Sequence, residues 1–459
     1  VNRRIWKFRY RYFLHGKYRV QMGVNMIFSL DKAGGICIFV ISIFSVVLIM
    51  EGRKISVVAM GAGNRMVTYG AYASLHPEEM VIVAVVEPNL LRRESFAREY
   101  GIPQERCFTG WQEFLAQDRM ADAVFICTPD NMHYEPAMLA LRRGYHIFLE
   151  KPIAQSWQEC LDIAALARKM GKVVGVGHVL RYHPYFKKMK EVLEEGCLGK
   201  LISVNHVEAI GIERMTHAFV RGLWRREEET NPLILSKACH DLDLLVWLTG
   251  KLCRQVASFG SLKWFKADNA PQGSTLRCTD GCVVERQCPY SALDLYFRRK
   301  RWLRHFDLPQ GADMEEVIMQ ELKTGPYGRC VYRCDNTVVD HQVVSMLMEE
   351  DITVNLSLDA FTRDSGRKTH FMCSEGEMSG DEKTLTVRYF HPGREACRYD
   401  FSSNAGECNY HGGADLNIVG DFIAALREGD GRHLRTGIES CLESHRVAFE
   451  IEKIRLTDR

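Results

Sequence analysis

The sequence predicts a doubly wound α/β domain followed by a larger α+β domain built on an open, mostly antiparallel sheet. Three observations carry the first half of that reading. From Lys54 to Val176 short apolar runs alternate with helix-patterned stretches, a glycine-rich turn follows the first run, and an acid closes the second. Ile55–Met60 reads as a buried parallel strand, Gly61–Met66 as the turn, and the stretch to about Leu75 as a helix. Met80–Val86, Ala123–Cys127, His146–Leu149 and Val173–Val176 read as further strands, with helices over Tyr134–Arg143 and Trp157–Met170. Strand, helix and strand at this spacing require right-handed crossovers and a parallel sheet.

Composition narrows the function. The 459 residues suffice for two or three domains, and 46% hydrophobic against 26% charged residues exclude a disordered chain. Lys and Arg total 60 against 58 Asp and Glu, a balance without the basic footprint of a nucleic-acid binder. Cysteines are scattered, several inside apolar segments (Cys107, Cys127, Cys160, Cys239), which suits a reducing cytoplasm. Residues 1–30 hold no acid and seven Lys or Arg, and 33–50 carry no charge. A membrane anchor is one reading of that pattern, but it leaves too little chain before the first strand at Ile55. The preferred expectation is a start at Met50, with residues 1–52 outside the fold and no membrane partner.

The glycine turn has a mechanical use. Gly61 permits the tight turn, and Gly63 lets backbone approach a pyrophosphate held at a helix N-terminus. Met66 stands where a third glycine is expected, so the helix should ride slightly off the strand. Glu87, 26 positions after Gly61, is placed for the adenosine ribose hydroxyls, which favours NAD and leaves NADP open because Arg92 and Arg93 follow.

Two more segments close strands: Cys127-Thr128-Pro129-Asp130-Asn131-Met132-His133 and Leu149-Glu150-Lys151-Pro152. With Gly61-Ala62-Gly63-Asn64-Arg65 and Glu87 they resemble the Gfo/Idh/MocA family of oxidoreductases, over about residues 53–459. The resemblance implies a Rossmann domain at 53–178 and a substrate and oligomerisation domain at 179–459, whose last helix packs back on the first. It implies cofactor contacts from Gly61, Gly63, Asn64, Arg65, Glu87, Thr128, Asn131, His133, Glu150 and Arg181, a cis Lys151–Pro152 bond, and a homodimer or homotetramer. Lys151 would handle the proton of a reacting hydroxyl, a role a lysine fills when desolvated beside a cationic ring.

The second domain's decisive segment is Ser236 to Leu248, read as one helix with Ser236, His240, Asp243 and Trp247 on a shared face. His240 would meet Lys151 at the reacting hydroxyl, with Asp243 three positions on orienting its imidazole. The family's aspartate four residues before this histidine is Ser236 here, leaving Lys237 or Asp241 to supply part of its charge. Arg221, Asp243, Asp340, His341 and His411 are candidate contacts to a polyhydroxylated substrate. Tyr327 and Trp264 fit a sugar face or the core. Cys278-x3-Cys282-x5-Cys288 and Cys330-x3-Cys334 fit a metal site closed by Cys330 or Cys334, or plain thiols or an adventitious disulfide.

Together these expectations describe an NAD(P)-dependent oxidoreductase acting on a secondary hydroxyl of a sugar, glycoside or cyclitol. An NAD-dependent glycoside hydrolase using transient ring oxidation, and a dinucleotide-binding sensor without chemistry, are the competing readings.

Overall fold

Residues alternate between two cores along the first described strand, and that alternation sets the architecture. In β1 (Ile55–Met60) Val57 and Ala59 enter one apolar cluster while Val58 and Met60 enter another. A strand buried on both faces needs helices on both sides. The computed structural model describes residues 53–303, 306, 311–402 and 411–457 in full. Of residues 1–52 it describes the backbone of four strands, Arg3–Leu14, Tyr18–Leu30, Ile36–Val40 and Val47–Ile49, paired antiparallel. The expected start at Met50 lies outside the described residues, and none of the described helices is long and apolar enough to cross a membrane.

The first sheet continues with β2 (Met80–Val86), β3 (Cys107–Phe108), β4 (Ala123–Ile126), β5 (His146–Leu149) and β6 (Val174–Val176). Its order is β6-β5-β4-β1-β2-β3, parallel throughout. The order reverses between β1 and β4, and the carboxyl ends at such a reversal form the ligand crevice of open α/β sheets. Helix α1 (Asn64–Leu75) leaves the glycine turn with Met66 fully buried against the sheet.

The second sheet comprises β7 (Leu201–Ala209), β8 (Cys253–Ser261), β9 (His341–Met348), β10 (Thr353–Asp359), β11 (Gly366–Cys373), β12 (Gly376–Gly380), β13 (Thr384–Tyr389) and β14 (Cys397–Asp400). Its order is β8-β9-β10-β7-β11-β12-β13-β14, antiparallel except where β7 meets β10. Val344, Met346 and Met348 of β9 and Val354, Leu356 and Leu358 of β10 point inward at every second position. Helix α2 (Cys239–Thr249) covers that face with Leu242, Leu245 and Leu248. It does not begin at Ser236: a separate turn, Leu233–Ser236, precedes it, and the buried Lys237 between them bonds inward to Glu208.

The chain then returns to the first domain through α3 (Ala414–Glu428) and α4 (Ile438–Thr457). Phe422 packs against Phe125 and Phe148 at centroid distances of 5.7 and 5.5 Å. The Val176 amide donates to the Thr436 carbonyl at 2.8 Å. Removing so buried an aromatic leaves a void at the domain junction. Phe422→Ala should lower stability by about 3–5 kcal/mol, measured as the shift of the first denaturant transition of the full chain.

Candidate functional site

The glycine turn fits a dinucleotide. Gly61 sits at φ +86°, and a Cβ there would lie 2.7 Å from the Cys127 carbonyl oxygen, so only glycine serves. A Cβ on Gly63 would meet open space, leaving its backbone approachable. Glu87 is buried at the end of β2, accepting from the amides of Ala62 at 2.8 Å and Asn89 at 3.0 Å. It thus fastens the glycine turn to the neighbouring strand end. Thr128 donates to the Met132 carbonyl and Asn131 is exposed on the adjacent turn.

Glu150 and Lys151 end β5, and the Lys151–Pro152 bond is cis. Glu150 accepts from Arg65 Nε at 2.8 Å, Tyr69 OH at 2.6 Å and the Lys151 amide at 2.9 Å. Burial pushes its carboxyl up, but Arg65, Lys151 and Tyr69 outweigh burial and hold it below the usual range. Arg65 also donates to Asp415 of α3 at 2.7 Å, and Asp415 holds His411 Nδ1 at 2.9 Å. Burial opposes ionisation of Asp415, yet His411 and Arg65 hold it at about 2.

Lys151 crosses the domain junction. Its Nζ donates to the Ser236 carbonyl at 2.9 Å, one helical turn before His240. The Ser236 hydroxyl turns away to the Asn231 carbonyl, so main chain, not a carboxylate, receives the lysine. Burial, then the Lys151 ammonium, then His178, hold the His240 imidazole well below its ordinary value. The His240 Nδ1 is buried without a hydrogen-bond partner. His178 lies 5.7 Å from it and His445 lies 5.5 Å beyond His178, centroid to centroid. Lys151 thus reaches the segment before His240, and both Lys151 and, more weakly, His411 act on the His240 imidazole.

Several expected contacts belong elsewhere. Asp243 does not orient His240: both its oxygens bind the buried Arg181, at 2.8 and 2.6 Å. Arg181 spends its remaining donors on the Arg435 and Ser440 carbonyls and the Ser440 hydroxyl, so it joins domains and is not free for a cofactor. Cys441 and His178 approach Asp243 closely, but a metal cation there would oppose that guanidinium. His133 is fully buried with both ring nitrogens on carbonyls, Pro152 at 2.7 Å and Thr128 at 3.0 Å, and props the Lys151 loop from behind. Asp340, also fully buried, accepts from the Lys263 and Trp264 amides and from His341, and so fixes its own turn. Arg221 is buried against a cysteine-lined cavity, and Tyr327 stacks on His217. Lys237 and Asp241 are taken by Glu208 and by Arg367 with His206. Sequence reasoning missed Tyr69, Asp415, His178 and His445. Two of these had a signal, since Tyr69 follows Arg65, and Asp415 follows His411, at helical i,i+4 spacing.

The glycine turn of a parallel doubly wound sheet lies on one domain, and Lys151 of the same domain reaches the segment before His240 on the second. Residues 55–178 match the model of the Gfo/Idh/MocA family, an oxidoreductase family with NAD-binding Rossmann fold. The chain is 28% identical over 388 residues to a 2,7-anhydro-N-acetylneuraminate hydratase of Mediterraneibacter gnavus, covering 82% of this chain and 90% of that enzyme. It is 30% identical over 166 residues to a 1,5-anhydro-D-fructose reductase of Ensifer adhaerens, 36% of this chain and 47% of that enzyme. The match thus spans less than half of that reductase, and 38% of another curated relative. An inositol dehydrogenase homolog of Azotobacter vinelandii, solved with NADH and myo-inositol, superimposes with a TM-score of 0.63 at 15% identity, over 88% of this chain and 96% of that one.

The buried histidines have a measurable consequence. Burial, then Arg181 and Lys151, lower His178, while burial, then His178, lowers His445 to about 3. The unfolded chain binds protons on both that the folded chain refuses. Their contribution is complete above about pH 6.5 and is lost as pH falls below it. The slope should be about 1.4 kcal/mol per pH unit for each, and His445→Gln should remove one such share in urea titrations between pH 6 and 4.5.

Proposed function

We propose that the protein oxidises a secondary hydroxyl of a sugar, glycoside or cyclitol with NAD. The observation that supports this most is the convergence of Lys151, from the nucleotide domain, with His240, from α2 of the second. The dinucleotide, held by the Gly61–Gly63 turn with Glu87 toward the ribose, would supply the hydride acceptor. Lys151 enters the step as the free amine. As the carbinol C–H bond breaks and its hydride passes to the dinucleotide, Nζ takes the hydroxyl proton and becomes the ammonium; in the reverse direction the ammonium returns that proton to the carbonyl oxygen. His240, kept neutral, accepts or donates one hydrogen bond at that hydroxyl without adding charge beside the lysine. Glu150 and Arg65 hold the strand end from which Lys151 projects. His411, fixed by Asp415, reaches the same crevice and is proposed to contact the substrate. The carboxylate of Glu87 favours NAD over a 2′-phosphorylated dinucleotide. Phe259 and Val343, exposed cross-strand partners on the second sheet, support pairing of two copies through that face.

A second reading has one observation in its favour, the hydratase named among the relatives. Transient oxidation followed by elimination or water addition and re-reduction uses the same lysine and the same bound dinucleotide. Incubating the chain with NAD and a panel of sugars, glycosides and cyclitols separates the two. NADH accumulating with ketone supports net oxidation, whereas product without NADH supports the transient route.

Lys151→Met should lower turnover by about 10²–10⁴-fold, while tryptophan-quench titration still registers NAD. Undiminished turnover on a substrate that the parent enzyme uses would remove the lysine from the mechanism.

A further inference from the structure

A second grip crosses the domain junction beside Lys151, and its centre is Asp130. This residue opens the turn Asp130–Met132, which follows β4 at the carboxyl edge of the first sheet. Its side chain is buried. Trp224 Nε1 donates to both its oxygens at 3.2 Å and Asn231 Nδ2 donates to Oδ2 at 3.2 Å, so both partners belong to the second domain. An amide at this position could not receive both, because it has a single acceptor oxygen and its other arm is a donor.

Asn231 begins a short segment that ends on the acceptor of the lysine. The Ser236 hydroxyl donates to the Asn231 carbonyl at 3.1 Å, and the Ser236 carbonyl accepts from Lys151 Nζ at 2.9 Å. Gln155, four residues after Lys151, donates to the carbonyl of Thr230 just before the segment. In the first sheet β4 and β5 are neighbours, with Ile126 opposite Leu149. His133 ties together the loops that follow them, through the Thr128 and Pro152 carbonyls. Two adjacent strand ends of one domain therefore clamp the two ends of one segment, 231–236, of the other. Burial pushes the Cys239 thiol up to about 12, and of the charged groups bearing on it Lys151 and then Asp130 come first, so both lie near the first residue of α2.

We propose that Asp130 is a positioning residue for Lys151, in a role that rests on the oxidation set out above. It holds Asn231, and through Asn231 the Ser236 carbonyl, where that carbonyl aims the amine. A free amine has two hydrogens and one lone pair, so giving one hydrogen to Ser236 restricts where the lone pair can point. The lone pair is what takes the proton of the reacting hydroxyl. Asp130 acts through Asn231 and Ser236 and not on that hydroxyl.

Asp130→Asn and Ser236→Ala cut the chain of bonds at different links, the second by removing one hydroxyl. On a substrate that the parent oxidises, Asp130→Asn should lower kcat by about 10²-fold, the cost of a small misplacement of a reacting group. NADH affinity, read by its fluorescence, should stay unchanged. The solvent deuterium isotope effect on kcat should rise, because transfer to a misaimed amine becomes the slow step. Ser236→Ala should move kcat and the isotope effect in the same direction by less. In a Lys151→Met background, Asp130→Asn should cost nothing more. The clamp is also read without turnover, by trace acetylation of the full chain and peptide mass mapping. Lys151 should be labelled several times faster in both variants than in the parent, relative to the exposed Lys453. Unchanged labelling of Lys151 overturns the proposal, and so does an NADH affinity that falls as far as kcat. A parent that oxidises no sugar, glycoside or cyclitol, with Lys151 labelling that still responds, overturns the oxidation and supports the clamp.

Discussion

The site depends on one buried ion pair that takes no part in the proposed chemistry. Arg181 leaves the last strand of the nucleotide domain, Asp243 sits on α2, and Ser440 and Arg435 flank the start of α4. One guanidinium therefore holds together the elements that carry, face and back the lysine. Partners removed from such a pair leave an uncompensated charge in the interior. The pair also decides what its neighbours can be. With Asp243 bonded to Arg181, burial, Arg181 and Lys151 outweigh the pull of Glu150 on His178, and a column of three imidazoles runs neutral from His445 to His240.

The electrostatics of the lysine follow from a small substitution. The resemblance implies an aspartate at position 236; this chain has Ser236, whose hydroxyl turns away while its carbonyl meets Lys151. A carbonyl dipole orients an amine without lending it a full negative charge. Carboxylate strength is kept one layer back, in Glu150 with Arg65 and in Asp415 with His411. Glu208, Asp241, Lys237 and Arg367 form a separate buried cluster against the second sheet and do not replace the missing aspartate.

What the sequence made legible was local. Strand ends, the glycine turn and Glu150-Lys151-Pro152 could be read because strand, turn and helix follow from neighbouring residues. What failed was partner assignment. His240 and Asp243 have the spacing of a mutually orienting pair, yet Asp243 meets Arg181, 62 positions away, and nothing in local periodicity encodes that meeting. Asp340, His133 and Arg221 carry polar groups that look exposed in a string of residues, yet turns and carbonyls consume them inside. The break before Cys239 was hidden for the same reason, since Lys237 is drawn inward by Glu208 on another strand.

The return of α3 and α4 sets an order for biosynthesis. Phe422 completes the aromatic contacts of Phe125 and Phe148, Thr436 receives the amide of Val176, and His445 accepts from the Ile153 amide. A nascent chain emerging from the ribosome has its first sheet long before it has these lids. The hydrophobic flank of the nucleotide-binding sheet therefore stays uncovered in the growing chain until α3 and α4 have been made and have docked on it.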